Sequence, residues 1–263
     1  MRSVLITGAY GGMGRAAVRL FRDRGYRVFA MDLRVDGAED GIVPVKADIT
    51  SEEEIKTAAA FVMGETDELY AVLHFAGIYI LDSLVEMSDE AFRRITDVNF
   101  RGAFLVNKYF LPLLREGSHI LMTTSELAPL APLPFTGIYA VTKAALDKYA
   151  YSLRMELQLL GISVSVLRAG AVDTGMLGAS TEALDRFCKE TRLYSCNAAR
   201  FKRIVDGVES RHIPPEKIAK KSLSVIEKRR PHFSYHINRN PLLLLLNMLP
   251  KRMQLWIIKK ILK

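Results

Sequence analysis

A short apolar strand, Val4-Leu5-Ile6, runs without a break into Thr7-Gly8-Ala9-Tyr10-Gly11-Gly12-Met13-Gly14, and this junction constrains the fold more than any other stretch of the chain. Residues Arg15 to Arg24 follow with helical character, apolar Ala16, Val18, Leu20 and Phe21 being interleaved with charges. Strand, glycine turn and helix in that order are the context a dinucleotide fingerprint requires. Glycines let the backbone turn tightly and come close to a pyrophosphate. The helix start offers unbonded N–H groups and the positive end of its dipole. The competing reading is a glycine turn that merely joins two elements, and the strand behind it weighs against that.

That second strand is Tyr26 to Met31, closed by Asp32, 18 residues after Gly14. A carboxylate at about this distance accepts hydrogen bonds from the adenosine ribose and repels the 2′-phosphate of NADP. Arg34 could accommodate that phosphate, but Leu33 follows the aspartate directly and Gly11, not a basic residue, precedes Gly12. NAD is therefore expected over NADP. The alternative role for Asp32 is that of a turn residue at a strand end.

Tyr139 and Lys143 stand four residues apart in Tyr139-Ala-Val-Thr-Lys143. On a helix such residues share a face. An ammonium beside a phenol favours the ionised form, so the spacing predicts a tyrosine pKa below its ordinary value of about 10. That makes Tyr139 a candidate general acid/base. The pair alone also suits a solvated helix face. Two more polar residues precede it. Asn99 lies in a helical stretch, Asp97-Val-Asn-Phe-Arg-Gly102, and Ser125 ends the apolar run that starts at Ile120. Singly, these are ordinary helix-surface and turn residues.

Together with the glycine turn, they make the chain resemble the single-domain branch of the short-chain dehydrogenase/reductase family, of the hydroxysteroid or retinol dehydrogenase kind. The resemblance covers roughly the first two hundred residues. The spacing of Gly8, Gly12 and Gly14 is that of this branch, and Gly11 and Met13 complete the loop. Asp48 matches the acid that the family places near the adenine, with Ile49 beside it. Ala76-Gly77 matches the end of its Asn-Asn-Ala-Gly stretch. Asn99, Ser125, Tyr139 and Lys143 match its catalytic tetrad, and Ala169-Gly170 with Val172 and Thr174 resembles its Pro-Gly segment near the nicotinamide. The cofactor contacts this implies are Gly8, Gly11, Gly12, Met13, Gly14, Asp32, Leu33, Asp48, Ile49, Ala76, Gly77, Tyr139, Lys143, Gly170, Val172 and Thr174.

Three departures stand out. His74-Phe75 replaces the two asparagines, and an imidazole can make some of the hydrogen bonds of an amide. Ala169 stands where proline is usual. Ser125 precedes Tyr139 by 14 residues, where 13 is commoner, with Thr124 as the alternative hydroxyl. The resemblance implies hydride transfer between nicotinamide and a secondary alcohol or its ketone. Tyr139 then exchanges the proton, Lys143 lowers the tyrosine pKa and bonds the nicotinamide ribose, and Ser125 donates to the substrate oxygen. Asn99 holds a water that links Lys143 to solvent. A 3-oxoacyl reductase is the nearest rival within the enzymes, and a non-catalytic NAD-binding module is the rival outside them.

Apolar and polar runs alternate along the chain, with strands at 41–46, 69–75, 118–124 and 162–167 and helices at 51–63, 88–114 and 139–160. The pattern implies an α/β, Rossmann-type, doubly wound parallel sheet. With 263 residues, 49% hydrophobic and 25% charged, one globular domain over residues 1–240 is expected. Residues 175–212 resemble the family's substrate-covering lid. Their apolar members, among them Met176, Leu177, Leu184, Phe187, Tyr194, Phe201 and Ile204, suggest a steroid, retinoid or fatty acyl substrate, although packing on the sheet explains them equally well.

Residues 241–263 form a basic amphipathic tail. Leu242 to Leu246 is unbroken leucine, and Lys251, Arg252, Lys259, Lys260 and Lys263 supply five of the formal +8 charges with no acid among residues 251–263. Such a helix suits the surface of an anionic membrane and is too short in apolar run to span one; an oligomer contact or core packing is the alternative. No nucleic-acid motif accompanies the charge. Cys188 and Cys196 match no metal pattern, and no metal is expected. Met1-Arg-Ser leads straight into the first strand, so no cleavable signal is expected. The expectation is a cytoplasmic homodimer or homotetramer with peripheral contact at the inner membrane surface.

Overall fold

Strand β1 (Ser3–Thr7) is buried at every residue, and it lies inside the sheet, flanked on both sides. It pairs in parallel with β2 (Arg27–Asp32) on one side and β4 (Ala71–His74) on the other. Together with β3 (Ile42–Lys46), β5 (His119–Ser125), β6 (Ser163–Ala169) and β7 (Ser234–Ile237), they form a seven-stranded sheet in the order β3-β2-β1-β4-β5-β6-β7. All six pairings are parallel. A parallel sheet is covered on both faces, so its strands read as continuous apolar runs. The chain reverses its direction of winding between β1 and β4, and the crevice beyond the strand ends there is where such sheets bind ligands. This computed structural model describes residues 1–209 and 212–263, with side chains for all but 176–182 and 205–209; Met176 and Leu177 of the expected lid are among those outside the described side chains.

Helices α1 (Gly12–Asp23) and α8 (Pro215–Ile226) cover one face of the sheet, burying Val18, Phe21, Ile218 and Leu223 against Val4, Ile6 and Leu121. The other face is covered by α2 (Glu52–Glu65), α4 (Gly102–Phe110) and α5 (Gly137–Leu157), with Ile55, Val106, Phe110 and Leu146 packed on Leu5, Phe29 and Ile120. The Ser51 hydroxyl caps α2 by accepting from the Glu54 N–H, and three glutamates fill its first turn, where they face the positive end of the dipole.

The helical stretch expected over 88–114 is interrupted. Helix α3 (Asp89–Thr96) passes into α4 through a π-helical turn, Asp97–Arg101, which carries Asn99. Such turns widen the helix by one residue and recur at functional sites. Helices α6 (Gly175–Glu190) and α7 (Ser195–Glu209) pack on each other through Leu184, Phe187, Ala198 and Phe201. Phe135, in the loop before α5, holds this pair by stacking on Phe187, Tyr194 and Phe201. Its φ of 64° is costly for a bulky residue. Helices α9 (Pro241–Met248) and α10 (Lys251–Leu262) follow β7. Leu262 joins the α6–α7 cluster, and the Asn197 side chain donates to the Leu262 carbonyl at 2.6 Å. Among the described residues, no helix is long and apolar enough to cross a membrane.

Candidate active site

Thr7, Asp32, Ser125 and Ala169 are the last residues of their strands, so the residues the sequence singles out collect along one edge of the sheet. Gly8 turns there with φ +66°, and a side chain on it would run into the backbone of Phe75 and Ala76. A Cβ on Gly14 would overlap the Gly8 carbonyl oxygen. These glycines thus let the loop close on itself and on the end of β4, independently of any ligand.

Helix α5 brings Tyr139 and Lys143 onto one face opposite Ser125. Ser125 is buried and accepts from the Leu127 N–H at 3.2 Å, and its hydroxyl also pairs with the Tyr139 hydroxyl. Thr124 points elsewhere: its hydroxyl donates to Asp147 at 3.4 Å, so the extra residue before Tyr139 is taken up in the loop and the hydroxyl facing the phenol is Ser125. Lys143 is buried and donates to the Thr123 carbonyl at 3.2 Å, its Nζ lying 5.7 Å from the centre of the Tyr139 ring.

The electrostatics run opposite to the expectation of a phenol acidified by the lysine. Burial pushes Tyr139 up to about 12, the bond to Ser125 opposing it, and burial pushes Lys143 down to about 8. Loss of water disfavours both charged forms, and at this separation it outweighs their attraction.

Asn99 is buried and bonded to protein groups. Its Oδ1 accepts from the Ile78 N–H at 2.8 Å and its Nδ2 donates to the Ile78 carbonyl at 2.9 Å and to Thr142 at 3.2 Å. The side chain therefore clamps the 77–80 backbone beside Lys143. A Cβ on Gly77 would stand 3.3 Å from Asn99 Oδ1 and 3.4 Å from Lys143 Nζ, so a side chain there would fill the space next to the lysine.

Two cavities meet at this point. One, of about 1790 Å³, is lined by the glycine loop from Gly8 to Gly14, by Asp32 and Leu33, by Asp48 and Ile49, and by Ala76, Gly77 and Thr174. The other, of about 550 Å³, is lined by Ser125, Tyr139, Lys143, Gly170 and Val172; Met13, Gly77 and Thr174 border both. Asn99 lines neither, and acts through Ile78. Asp32 accepts from the Tyr10 N–H at 2.9 Å and from its neighbour Leu33 at 2.8 Å, and so also shapes the turn. Asp48 binds the Thr50 N–H and hydroxyl, both at 2.8 Å. Ile49 packs against Gly102. A Cβ on Gly170 would overlap the Asn238 carbonyl oxygen, which makes that glycine a packing requirement of β7.

The larger cleft fits a nicotinamide dinucleotide on its own features. It is large, bordered on one side by the glycine loop that leads into α1, and carries the Asp32 carboxylate at the end of β2. At its inner end, the Lys143 ammonium has three donors and one acceptor given to it among the described residues. The buried Thr123 hydroxyl, on the strand beside Lys143, has no bonding partner among the described residues. Among the described residues, no group of His, Cys, Asp and Glu could hold a metal ion.

The sequence model of the short chain dehydrogenase family matches residues 2–185. The chain belongs to this family. Its members are dehydrogenases and reductases that use a nicotinamide dinucleotide. Estradiol 17-beta-dehydrogenase 2 of Mus musculus is 33% identical over 210 residues, 72% of this chain and 55% of that protein. The NADPH-dependent 1-acyldihydroxyacetone phosphate reductase of Schizosaccharomyces pombe is 30% identical over 190 residues, 68% of this chain and 64% of that protein. The chain thus spans little more than half the length of the mouse relative. A solved short-chain dehydrogenase family protein from Francisella tularensis superposes with a TM-score of 0.75 over 90% of this chain and 97% of that one, at 20% identity, which shows a shared fold.

For a short-chain dehydrogenase, the site holds several residues that sequence reasoning missed. Tyr79 stacks on Tyr139 with ring centroids 4.7 Å apart, but nothing local marks a tyrosine in the 77–80 loop. Thr142 tethers Asn99 from the residue before Lys143. Asp147 and Arg168 form a nearly buried two-point ion pair, 2.9 and 2.7 Å, behind Thr124. Its spacing of four from Lys143 was the available signal. Glu126, directly after Ser125, is held up in pKa by burial and accepts from the Asn240 N–H at 2.6 Å, tying the start of α9 to the end of β5.

Proposed function

We propose that this chain transfers a hydride between a nicotinamide dinucleotide, NAD in preference to NADP, and an apolar secondary alcohol or its ketone. Tyr139, Ser125 and Lys143 are its catalytic residues, with Asn99 positioning the loop beside them. The nicotinamide, when bound, gives or takes the hydride. Tyr139 holds its proton at neutral pH and hands it to an oxygen that gains charge as a ketone is reduced. Ser125 donates to the same oxygen. Lys143, with donors to spare, bonds the hydroxyls of the ribose. The glycine loop from Gly8 to Gly14 and the first turn of α1 take the pyrophosphate, Asp32 the adenosine ribose, Asp48 and Ile49 the adenine side, and Gly170, Val172 and Thr174 the nicotinamide side.

The observation that carries the substrate reading is the chamber of about 550 Å³ over Tyr139, whose walls beyond the polar centre include Leu133, Phe201 and Ile204 and, from α9 and α10, Leu243, Leu246, Ile257 and Ile258. A steroid, retinoid or fatty acyl compound suits it, and the name of the mouse relative leans the same way. The NADPH dependence named for the yeast relative, with Arg15 and Arg34 bordering the cleft, keeps NADP as the second reading. Phe104 on α4 and Val141, Tyr151 and Met155 on α5 are exposed apolar side chains of neighbouring helices and support a homodimer or homotetramer. Peripheral contact with a membrane through residues 242–263 belongs to the same reading. The test is NADH absorbance on mixing the protein with NAD and a panel of sterols, retinol, long-chain secondary alcohols and sugars. Turnover of sterols or long-chain alcohols is expected, and turnover confined to sugars overturns the apolar assignment.

A further inference from the structure

Helix α9 is apolar on two sides. Leu243, Leu246 and Leu249, from α9 and the residue after it, wall the chamber over Tyr139, whereas Leu242, Leu245 and Met248 form a ridge exposed at 63%, 60% and 82%. Residues three apart stack into one such ridge. Leu242 and Leu245 also border the chamber, as does Ile261 on α10, itself 52% exposed. The rim of the chamber and the exposed apolar surface are therefore the same side chains. Met253, Leu255 and Trp256 extend that surface along α10.

The ridge is held in register with the chamber by polar bonds. Glu126 accepts from the Asn240 N–H, the Asn247 side chain accepts from the Ala131 N–H at 2.7 Å, and the Gln254 side chain donates to the Leu249 carbonyl at 2.7 Å. Around it stand Lys251, Arg252, Lys259, Lys260 and Lys263, all exposed, with no acidic residue from 241 to 263. An exposed apolar ridge in a segment whose charged side chains are all cationic matches acyl chains below anionic headgroups. A protein partner of ordinary composition would ask for acceptors and donors that this ridge lacks.

Resting on the proposed hydride transfer, we infer that α9 and α10 lie on an anionic phospholipid bilayer with the mouth of the chamber turned into it, so that the substrate enters from the acyl layer without crossing water. The helices are both the wall of the site and its doorway.

The test uses the full chain, in which Trp256 is the single tryptophan. Vesicles of phosphatidylcholine with phosphatidylglycerol should shift Trp256 emission to the blue and sediment the protein, with at least about tenfold weaker binding to phosphatidylcholine alone. The variant Met248→Glu/Leu255→Glu changes only exposed side chains that do not line the chamber. It should lose vesicle binding and raise KM for an alcohol dissolved in the vesicles, leaving kcat/KM for a short water-soluble secondary alcohol unchanged. Absence of a Trp256 shift with either vesicle overturns the inference, as does binding that leaves KM for the dissolved alcohol unmoved. A Trp256 shift that follows protein concentration without vesicles assigns the ridge to a second copy and also overturns it. Lack of turnover on every alcohol defeats the proposed function instead, and the sedimentation arm still decides the docking.

Discussion

The Lys143 ammonium donates to the Thr123 carbonyl oxygen at 3.2 Å. That bond moors the lysine to the strand that carries Ser125 and leaves it 5.7 Å from the centre of the Tyr139 ring. The phenol and the ammonium share a pocket poor in water, and each is pushed toward its neutral form. The site as described thus favours a tyrosine that gives a proton over one that takes it.

Replacing Tyr139 by Phe removes that proton donor and keeps the ring stacked on Tyr79. Turnover should fall by about 10²- to 10⁴-fold, the usual share of a general acid. Calorimetric titration should find NAD binding unchanged. Ordinary turnover in the variant rejects the assignment.

Lys143→Met should abolish turnover yet stabilise the protein at pH 7. The folded lysine titrates near 8 and the unfolded one near 10.5, so between those values the unfolded state binds more protons. Stability of the wild type therefore rises with pH across that window, and below pH 8 the folded state carries the whole desolvation cost. Methionine removes it, worth about 1–2 kcal/mol at pH 7. Melting curves from pH 7 to 10.5 should show the variant's advantage shrinking as pH rises; a constant or growing difference contradicts the buried-ammonium account.

His74 gives the same sign in an acidic window. Burial holds its pKa down to about 4 against the ordinary 6.5, and its Nε2 bonds Asn107 Oδ1 at 2.9 Å. Being neutral, the ring donates through Nε2. Between pH 6.5 and 4 the unfolded chain takes up a proton that the folded one refuses, so stability falls as pH falls. His74→Asn should flatten this part of the melting profile relative to wild type. His119, also near 4, leaves a remaining slope in both proteins.

Asn99→Ala strands the Ile78 N–H and carbonyl, at a cost of about 2–4 kcal/mol for two unpaired backbone groups. Thermal unfolding should report the loss, and KM for the dinucleotide should rise more than kcat falls, because the 77–80 loop borders the cofactor cleft. Equal loss in both would mean that Asn99 takes part in the chemistry itself.

Asp32→Ala should raise the ratio of kcat/KM for NADP to that for NAD by about tenfold or more, by removing the repulsion of a 2′-phosphate and the hydrogen bonds to a ribose. A wild type that already prefers NADP, or a variant with an unmoved ratio, defeats the reading of Asp32.

Six of the seven strands are legible in the sequence as short runs rich in apolar residues between turn and helix signals. Strand β7 is not. Ser234-Tyr-His-Ile237 is four residues long, mixes polar with apolar and pairs on one side only, with β6. The spacing of Tyr139 and Lys143 is read locally, but the direction of their pKa shifts is not, since their burial depends on how α5 packs against β5 and the 77–80 loop. Asn99 shows the same division: its place in a helix is readable, whereas the π turn that aims it at Ile78 is not. The leucines after Pro241 announce that they avoid water, and only the folded chain divides them between a chamber wall and an outer ridge.

That division has an evolutionary corollary. On the proposed function, proton handling is written between residues 99 and 143, while much of the wall of the chamber that would select a substrate is written after residue 240. The tail can drift, exchange leucine for bulkier or smaller residues and so change its clientele, while the reactive centre stays as it is.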